Sequence, residues 1–252
     1  MPPRIAIPMP HSLDREYSER AMPQYEQAVA RAGAEPVRIG FDRSGNEISA
    51  IIGRCDAVLL PGSNADVDPA KFGADRSPHT ANADLRRDQI DVLLLQDAFN
   101  SRKPVLGICY GLQSLNVFLR GSLVQHIPDF LPESLRARVD HEAGRKVAVA
   151  HDVEIETASR LAQIVGNGSA GRQGERLRLP VNSSHHQSAN AIGGGLRISA
   201  RCPDDGIIEA LEGSDPGHFV LAVQWHPERS VAEDEASRSI FRALVQAANQ
   251  PR

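Results

Sequence analysis

The chain has 252 residues, 41% hydrophobic and 24% charged, an ordinary balance for a globular protein and enough length to bury a large core. Its 28 basic and 32 acidic side chains leave a formal net charge of −4, which gives no electrostatic case for nucleic acid or an anionic membrane as partner. No apolar run approaches the roughly 20 residues that span a bilayer. Met1-Pro2-Pro3-Arg4 leads straight into Ile5-Ala6-Ile7 with no secretory apolar region or cleavage site, so the expectation is a cytoplasmic protein of one domain, 1–252. Cys55, Cys109 and Cys202 are odd in number, widely spaced and without CxxC spacing, a poor disulfide or metal framework.

Apolar runs bounded by turn residues alternate with helical patterns, which predicts an α/β fold of parallel strands joined by helical crossovers. The first strand is expected at Arg4–Met9, then a helix over Ser18–Ala32 that stops at Gly33. A strand at Glu35–Ile39 follows, and another at Asp56–Leu60 that ends in Pro61-Gly62-Ser63. Asp84–Ser101 reads as a long amphipathic helix with Ile90, Leu93, Leu94 and Ala98 on one stripe. Pro104–Ile108 is a short apolar strand, and Tyr110–Leu119 opens a helix. After about Gly121 the segments shorten and look antiparallel: Ser122–Ile127, Lys146–Ile155, Arg176–Val181, Leu196–Ala200, Ile207–Leu211 and Phe219–Trp225. A closing helix is expected over Glu235–Ala248. Gly166–Gly174 reads as an exposed loop; its G-x-G-x-x-G match follows a predicted helix rather than a first strand, the wrong setting for a dinucleotide site.

The most informative residues are Gly107-Ile108-Cys109-Tyr110-Gly111, a G-x-C-x-G at a strand-to-helix junction. A nucleophile on so tight a turn is held in a strained backbone, and only small neighbours two residues away on each side let the chain pass. The sulfur is thereby presented at the carboxyl edge of the sheet, beside free N–H groups of a helix start that favour thiolate and oxyanion. A free cysteine is otherwise most often a core residue, the reading given to Cys55 and Cys202.

A cysteine nucleophile needs a base, and the base an orienting group. The strand Phe219–Trp225 runs into His226-Pro227-Glu228, where proline ends the ladder at the sheet edge that binds ligands in open α/β folds. Two residues apart on an extended chain, Glu228 can accept the second N–H of His226 and fix its tautomer. His185 and His186 are rival bases; adjacent residues face opposite ways, so at most one aims into the site, and Asn182–Gln187 is read as a wall of the substrate pocket. Pro61-Gly62-Ser63 follows a strand, as the nucleophile does, and can turn N–H groups to the same edge. No His-x-x-x-His or mixed His/carboxylate helix motif supports a metal; no metal and no cofactor are expected, and His11, His79, His126, His141, His151 and His218 are read as structural or surface residues.

Taken together, Pro61-Gly62-Ser63, Pro104–Asn116 with Cys109 inside it, Val181–Gln187 and Val223-Gln224-Trp225-His226-Pro227-Glu228 resemble the class I glutamine amidotransferase family, most closely the branch of γ-glutamyl-γ-aminobutyrate hydrolases, over about Arg4 to Ala248. The resemblance implies a three-layer flavodoxin-like domain with a mostly parallel central sheet and an added antiparallel portion. It implies a Cys109-His226-Glu228 triad, an oxyanion hole from Gly62 and Tyr110, γ-glutamyl binding by Gln113, and a substrate wall of Ser184, His185, His186 and Gln187. Two departures stand out. The family often has Arg at the position of Tyr110, and it tends to read Gly-Gly-Thr/Ser-Leu-x-Gln-Asp-Ile where this chain has Arg120-Gly121-Ser122-Leu123-Val124-Gln125-His126-Ile127.

The expected activity is cysteine-dependent hydrolysis of a small γ-glutamyl amide through a thioester. The competing readings are a glutaminase chain that passes ammonia to a separate synthase, and a non-catalytic binding protein of the same fold. The oligomeric state, homodimer included, is left open by the sequence.

Overall fold

The computed structural model describes residues 1–166, 171–173 and 176–250. Of the segment Gly166–Gly174 expected to be an exposed loop, Gly171–Gln173 instead form a strand paired antiparallel with Arg176–Val181, and residues 167–170 and 174 lie outside the described residues. In chain order the first half consists of β1 (Arg4–Pro8), α1 (Arg15–Arg31), β2 (Glu35–Ile39), α2 (Gly45–Ile52), β3 (Ala57–Leu60), α3 (Leu85–Asn100), β4 (Val105–Ile108) and α4 (Tyr110–Phe118). The second half has β5 (Leu123–Val124), α5 (Ile127–Phe130), α6 (Glu133–Arg136), β6 (His151–Ile155), α7 (Arg160–Val165), β7 (Gly171–Gln173) and β8 (Arg176–Val181). It closes with β9 (Ser188–Ala189), β10 (Leu196–Arg201), β11 (Ile208–Gly213), β12 (Val220–Val223) and α8 (Glu235–Ala248).

Among the described residues the large sheet has the order β2-β1-β3-β4-β12-β11-β10-β6-β8-β7. The neighbours from β2 to β12 are parallel, and from β12 outward every pair is antiparallel. This is the α/β architecture the sequence predicts, with its parallel and antiparallel parts fused in one sheet. The parallel strands are apolar on both faces because both are covered. Ile5, Ile7, Leu59, Leu106, Ile108, Leu221 and Val223 pack with α1, α7 and α8. Ala6, Val58, Leu60, Val105, Val220 and Ala222 pack with α2, α3 and α4. The result is three layers.

Local chemistry sets the boundaries. Asp14, Asp84 and Asp234 cap α1, α3 and α8 by accepting from backbone N–H groups in their first turns. Helix α1 stops before Gly33, whose φ of 93° a side chain would resist. The short helix α2 lies outside the elements expected from the sequence, although Ser44 and Glu47 form a complete capping box at its start. The strand expected over Ser122–Ile127 shrinks to β5 because Ile127-Pro128 opens α5, and the one expected from Lys146 begins only at His151.

Arg120, one of the two departures from the family pattern, has φ 71° at the end of α4. A glycine there would meet no steric penalty, whereas a side chain in the left-handed region costs about 1–2 kcal/mol. Allowing for the greater freedom of glycine in the unfolded chain, Arg120→Gly should stabilise the protein by about 0.5–1 kcal/mol and raise Tm by about 2 °C. A calorimetric melt checks it; an unchanged or lower Tm would show that Arg120 makes compensating contacts.

Candidate active site

Three adjacent parallel strands end at one edge, and register decides what they present. Leu60 of β3 pairs with Gly107 of β4, and Val223 of β12 pairs with Ile108. Gly62, Cys109 and His226 therefore emerge side by side just beyond the last pairs. Cys109 is tied to β12 by its N–H, which donates to the Val223 carbonyl at 2.8 Å.

Cys109 has φ 53° and ψ −106°, outside every helical or extended region, and stands immediately before α4. The flanking glycines are there for room. A Cβ on Gly107 would come within 2.8 Å of the Gly111 carbonyl oxygen, and one on Gly111 would collide with the Leu60 carbonyl. The Cys109 carbonyl accepts from Leu112 and Gln113 N–H, so by helix geometry the Tyr110 and Gly111 N–H groups are left without intrahelical acceptors beside the sulfur. Cys109 is 7% exposed, but it lines a cavity of about 490 Å³. The other two cysteines are buried away from it.

After β12 the chain does not stay extended. It turns into a 3₁₀ segment at Pro227–Arg229, and this turn, rather than strand alternation, brings Glu228 Oε1 to 2.7 Å from His226 Nδ1. Cys109 lines the same cavity as His226 and acts electrostatically on its ring. Burial alone would favour neutral imidazole, but the Glu228 carboxylate and the Cys109 sulfur outweigh it and raise the His226 pKa to about 9. Glu228, fully enclosed, is nevertheless held below the usual carboxylate range by His226, against its own desolvation.

Gly62 packs against this pair. A Cβ on it would lie 3.0 Å from His226 Cε1 and 3.6 Å from Cys109 Cβ. Its peptide is pinned from both sides: Arg87 donates to the Pro61 carbonyl at 2.7 Å, and the Gly62 N–H donates to Tyr25 Oη at 3.1 Å. Arg87 also stacks on the buried Tyr110 ring, 5.0 Å from its centroid. Where the family often carries a cation right after the nucleophile, this chain has an aromatic ring that faces the interior.

The residues expected to form the substrate wall divide by direction. His186, Ser184, Gln187 and Gln113 line the cavity, together with Tyr17, Asp66, Glu142, Arg145 and Arg229. His186 Nε2 bonds Asp66 Oδ1 at 3.2 Å, and that bond raises its pKa. Ser184 Oγ accepts from Arg229 at 2.9 Å. Gln113 donates to the Gln187 carbonyl at 3.3 Å. His185 touches the cavity but turns its ring inward, towards Glu209. His126, the second departure from the family pattern, stacks on His79 at the cavity's edge with ring centroids 4.1 Å apart.

Sequence reasoning passes over Asn182 as a site residue. Its side-chain amide grips the backbone of His226 with both ends, donating to the carbonyl and accepting from the N–H, each at 2.9 Å. Its place in Asn182–Gln187 is visible, but nothing local says that an amide there will reach a strand end 44 residues on. Arg229 is also missed, although it directly follows the His-Pro-Glu motif.

Sheet order, nucleophile-like elbow and polar cavity at the carboxyl edge define a protein of the class I glutamine amidotransferase fold. A GMP synthase component from Thermoplasma acidophilum superposes with a TM-score of 0.64 at 14% identity, covering 98% of this chain and 94% of that one. The glutaminase domain of Trypanosoma brucei CTPS does so with a TM-score of 0.61 at 20% identity, covering 97% and 93%. At such identities the likeness speaks for fold alone. The family follows from sequence: the peptidase C26 family matches residues 6–228, and the chain belongs to it, a family of glutamine amidotransferase-like hydrolases. A glutamine amidotransferase-like protein of Rickettsia prowazekii is 30% identical over 257 residues, covering 88% of this chain and 87% of its own. The γ-glutamyl-γ-aminobutyrate hydrolase of Escherichia coli strain K12 is 32% identical over 228 residues, covering 89% and 84%. Among the described residues no helix is long and apolar enough to cross a membrane.

Proposed function

We propose that the protein hydrolyses γ-glutamyl amide bonds with Cys109 as nucleophile, His226 as acid and base, and Glu228 as the group that orients and charges His226. The observation that carries this reading is Cys109 at a strained elbow, opening onto the same cavity as an imidazole whose Nδ1 is 2.7 Å from a buried carboxylate. The E. coli relative named for γ-glutamyl-γ-aminobutyrate hydrolysis supports the substrate class.

In this mechanism the Cys109 thiolate attacks the side-chain carbonyl carbon of the γ-glutamyl group. The developing oxyanion is met by the Tyr110 N–H. The Gly62 N–H joins it only by exchanging its Tyr25 partner. The tetrahedral intermediate expels the amine, which takes a proton from His226 and leaves a thioester on Cys109. Neutral His226 then removes a proton from water, the hydroxide adds to the thioester, and glutamate leaves as the thiolate reforms. The cavity charges suit a zwitterionic amino acid: Arg229 can face its carboxylate and Asp66 its ammonium group, with Arg145 and Glu142 paired to each other on the wall. Gln113 and the Ser184–Gln187 wall fix the chain between them.

The test is glutamate release from γ-glutamyl-γ-aminobutyrate, other γ-glutamyl amines, γ-glutamyl peptides and free glutamine, with the purified chain alone. Turnover of the amines without a partner is expected. Release from glutamine only, and only with a synthase added, would replace this reading with that of an ammonia-supplying chain. No release from any of them, with Cys109 inert to a γ-glutamyl electrophile, would leave a binding protein.

A further inference from the structure

Beneath the cavity wall, four buried side chains from four segments converge on one point. They are His141, in the loop after α6; His151, the first residue of β6; His185, in the Asn182–Gln187 segment; and Glu209, in β11. Their exposures are 4%, 9%, 3% and 0%. His141 Nδ1, His151 Nε2 and His185 Nε2 lie 3.0, 3.4 and 3.3 Å from Glu209 Oε1, and all four atoms are within 4.8 Å of one another.

These distances have a particular meaning because no proper hydrogen bond accompanies them. All four inward atoms are buried without a hydrogen-bond partner. One orphaned atom of this kind costs about 1–3 kcal/mol, and four aimed at one centre are hard to reconcile with a site built for protons. They suit a cation: ligand bonds of about 2.0–2.1 Å in a tetrahedron put the ligand atoms about 3.3 Å apart.

The outer atoms complete the pattern. His141 Nε2 bonds Asp205 Oδ2 at 2.8 Å, His151 Nδ1 bonds the Asp152 carbonyl at 2.9 Å, and His185 Nδ1 bonds the Gln187 carbonyl at 2.8 Å. Each acceptor draws the ring proton outward, so the inward nitrogen offers a lone pair, as metal-ligating histidines do. Ser183 Oγ donates to the second oxygen of Glu209 at 3.3 Å, which leaves Oε1 for the centre.

We propose that His141, His151, His185 and Glu209 form a closed, four-coordinate site for a divalent transition metal, zinc by its ligand set. Imidazole and carboxylate donors in a tetrahedron suit zinc, and four protein ligands leave no open position for a reacting water. The role is structural. The metal staples the loop carrying Glu142 and Arg145 to the segment carrying Ser184, His186 and Gln187, which already meet through the His185 N–H to His141 carbonyl and Gly144 N–H to Ser183 carbonyl bonds. It also steadies Asn182, and through it the backbone of His226. This departs from the sequence-based expectation of no metal, which rested on the lack of a local motif.

The experiment uses untagged protein purified without chelator. Elemental analysis should find about one zinc per chain. Stripping with a strong chelator should lower Tm on the order of 10 °C, and zinc ions alone should restore it. Cobalt(II) added to the stripped protein should give the intense visible bands of a tetrahedral site, and Glu209→Gln should lose bands and metal together. Cys109→Ala should keep both, which separates this site from the reaction proposed above. Wild-type protein that stays metal-free after zinc reconstitution, with a Tm indifferent to chelator, would overturn the proposal. So would zinc retained in Glu209→Gln, or cobalt bound without tetrahedral bands.

Discussion

Cys109→Ala is expected to lower kcat for γ-glutamyl amide hydrolysis by at least about 10⁴-fold while the protein stays folded, since removing the nucleophile of a triad leaves only binding and oxyanion contributions. The fold should survive because alanine keeps the Cβ and loses only the sulfur, which faces the cavity. Strain offers an independent check. At φ 53° and ψ −106° any residue with a Cβ carries a penalty, of order 1–3 kcal/mol, and glycine escapes it. Cys109→Gly should therefore be as inactive as Cys109→Ala and melt a few degrees above it. Glutamate release and paired calorimetric melts give both answers. Near-wild-type turnover in Cys109→Ala would end the case for covalent catalysis. Equal melting of the two variants would mean that the elbow is not strained.

The parallel half of the sheet is legible because its signals are local. Four or five consecutive apolar residues bounded by turns make a strand covered on both faces, as in β3, where Ala57–Leu60 are all buried. The elbow is legible for the same reason: Gly107 and Gly111 are needed by contacts within the turn and with the adjacent strand end. The antiparallel half is harder. Its strands are short, and the stretches before β6 and after β5 carry apolar residues that serve 3₁₀ and α-helical turns instead. Least legible are the residues that act across the fold. Asn182 reaches His226, and Glu209 meets His141, His151 and His185, only through the tertiary fold, which gathers segments far apart in the chain. A spacing rule for metal ligands works when ligands share a helix or a hairpin, and these share neither. The scattered histidines therefore look unrelated until the topology is known. The paired reading of His185 and His186 holds a useful half-truth: one ring does face the cavity while the other turns away, and the one that turns away enters the buried cluster.

Glu228→Gln should separate the two things that carboxylate does for His226. A glutamine oxygen at the same place can still accept the Nδ1 proton and hold the ring, but it carries no charge. In the wild type the imidazolium persists to a pKa of about 9, because Glu228 and Cys109 outweigh burial, which acts in the opposite sense. The alkaline limb of kcat/KM should therefore fall near pH 9, where His226 loses the proton that the proposed mechanism has it give to the leaving amine. Without the Glu228 charge, burial is opposed by Cys109 alone, and the limb should move down towards the ordinary 6.5 of histidine. At pH 7 activity should drop by about 10²–10⁴-fold, with partial recovery at lower pH as His226 is protonated again. Stability follows the same sign. A folded pKa raised above the unfolded one stabilises the protein fully below 6.5, and that contribution fades as pH rises through about 9. Glu228, lowered in the fold, contributes above 4.5 and loses its contribution as pH falls through its depressed folded value. The pH dependence of Tm in the variant should flatten in both windows. A Glu228→Gln profile whose alkaline limb stays near pH 9 would show that the carboxylate does not set the charge on His226, and the division of labour within the triad would have to be redrawn around Cys109 alone.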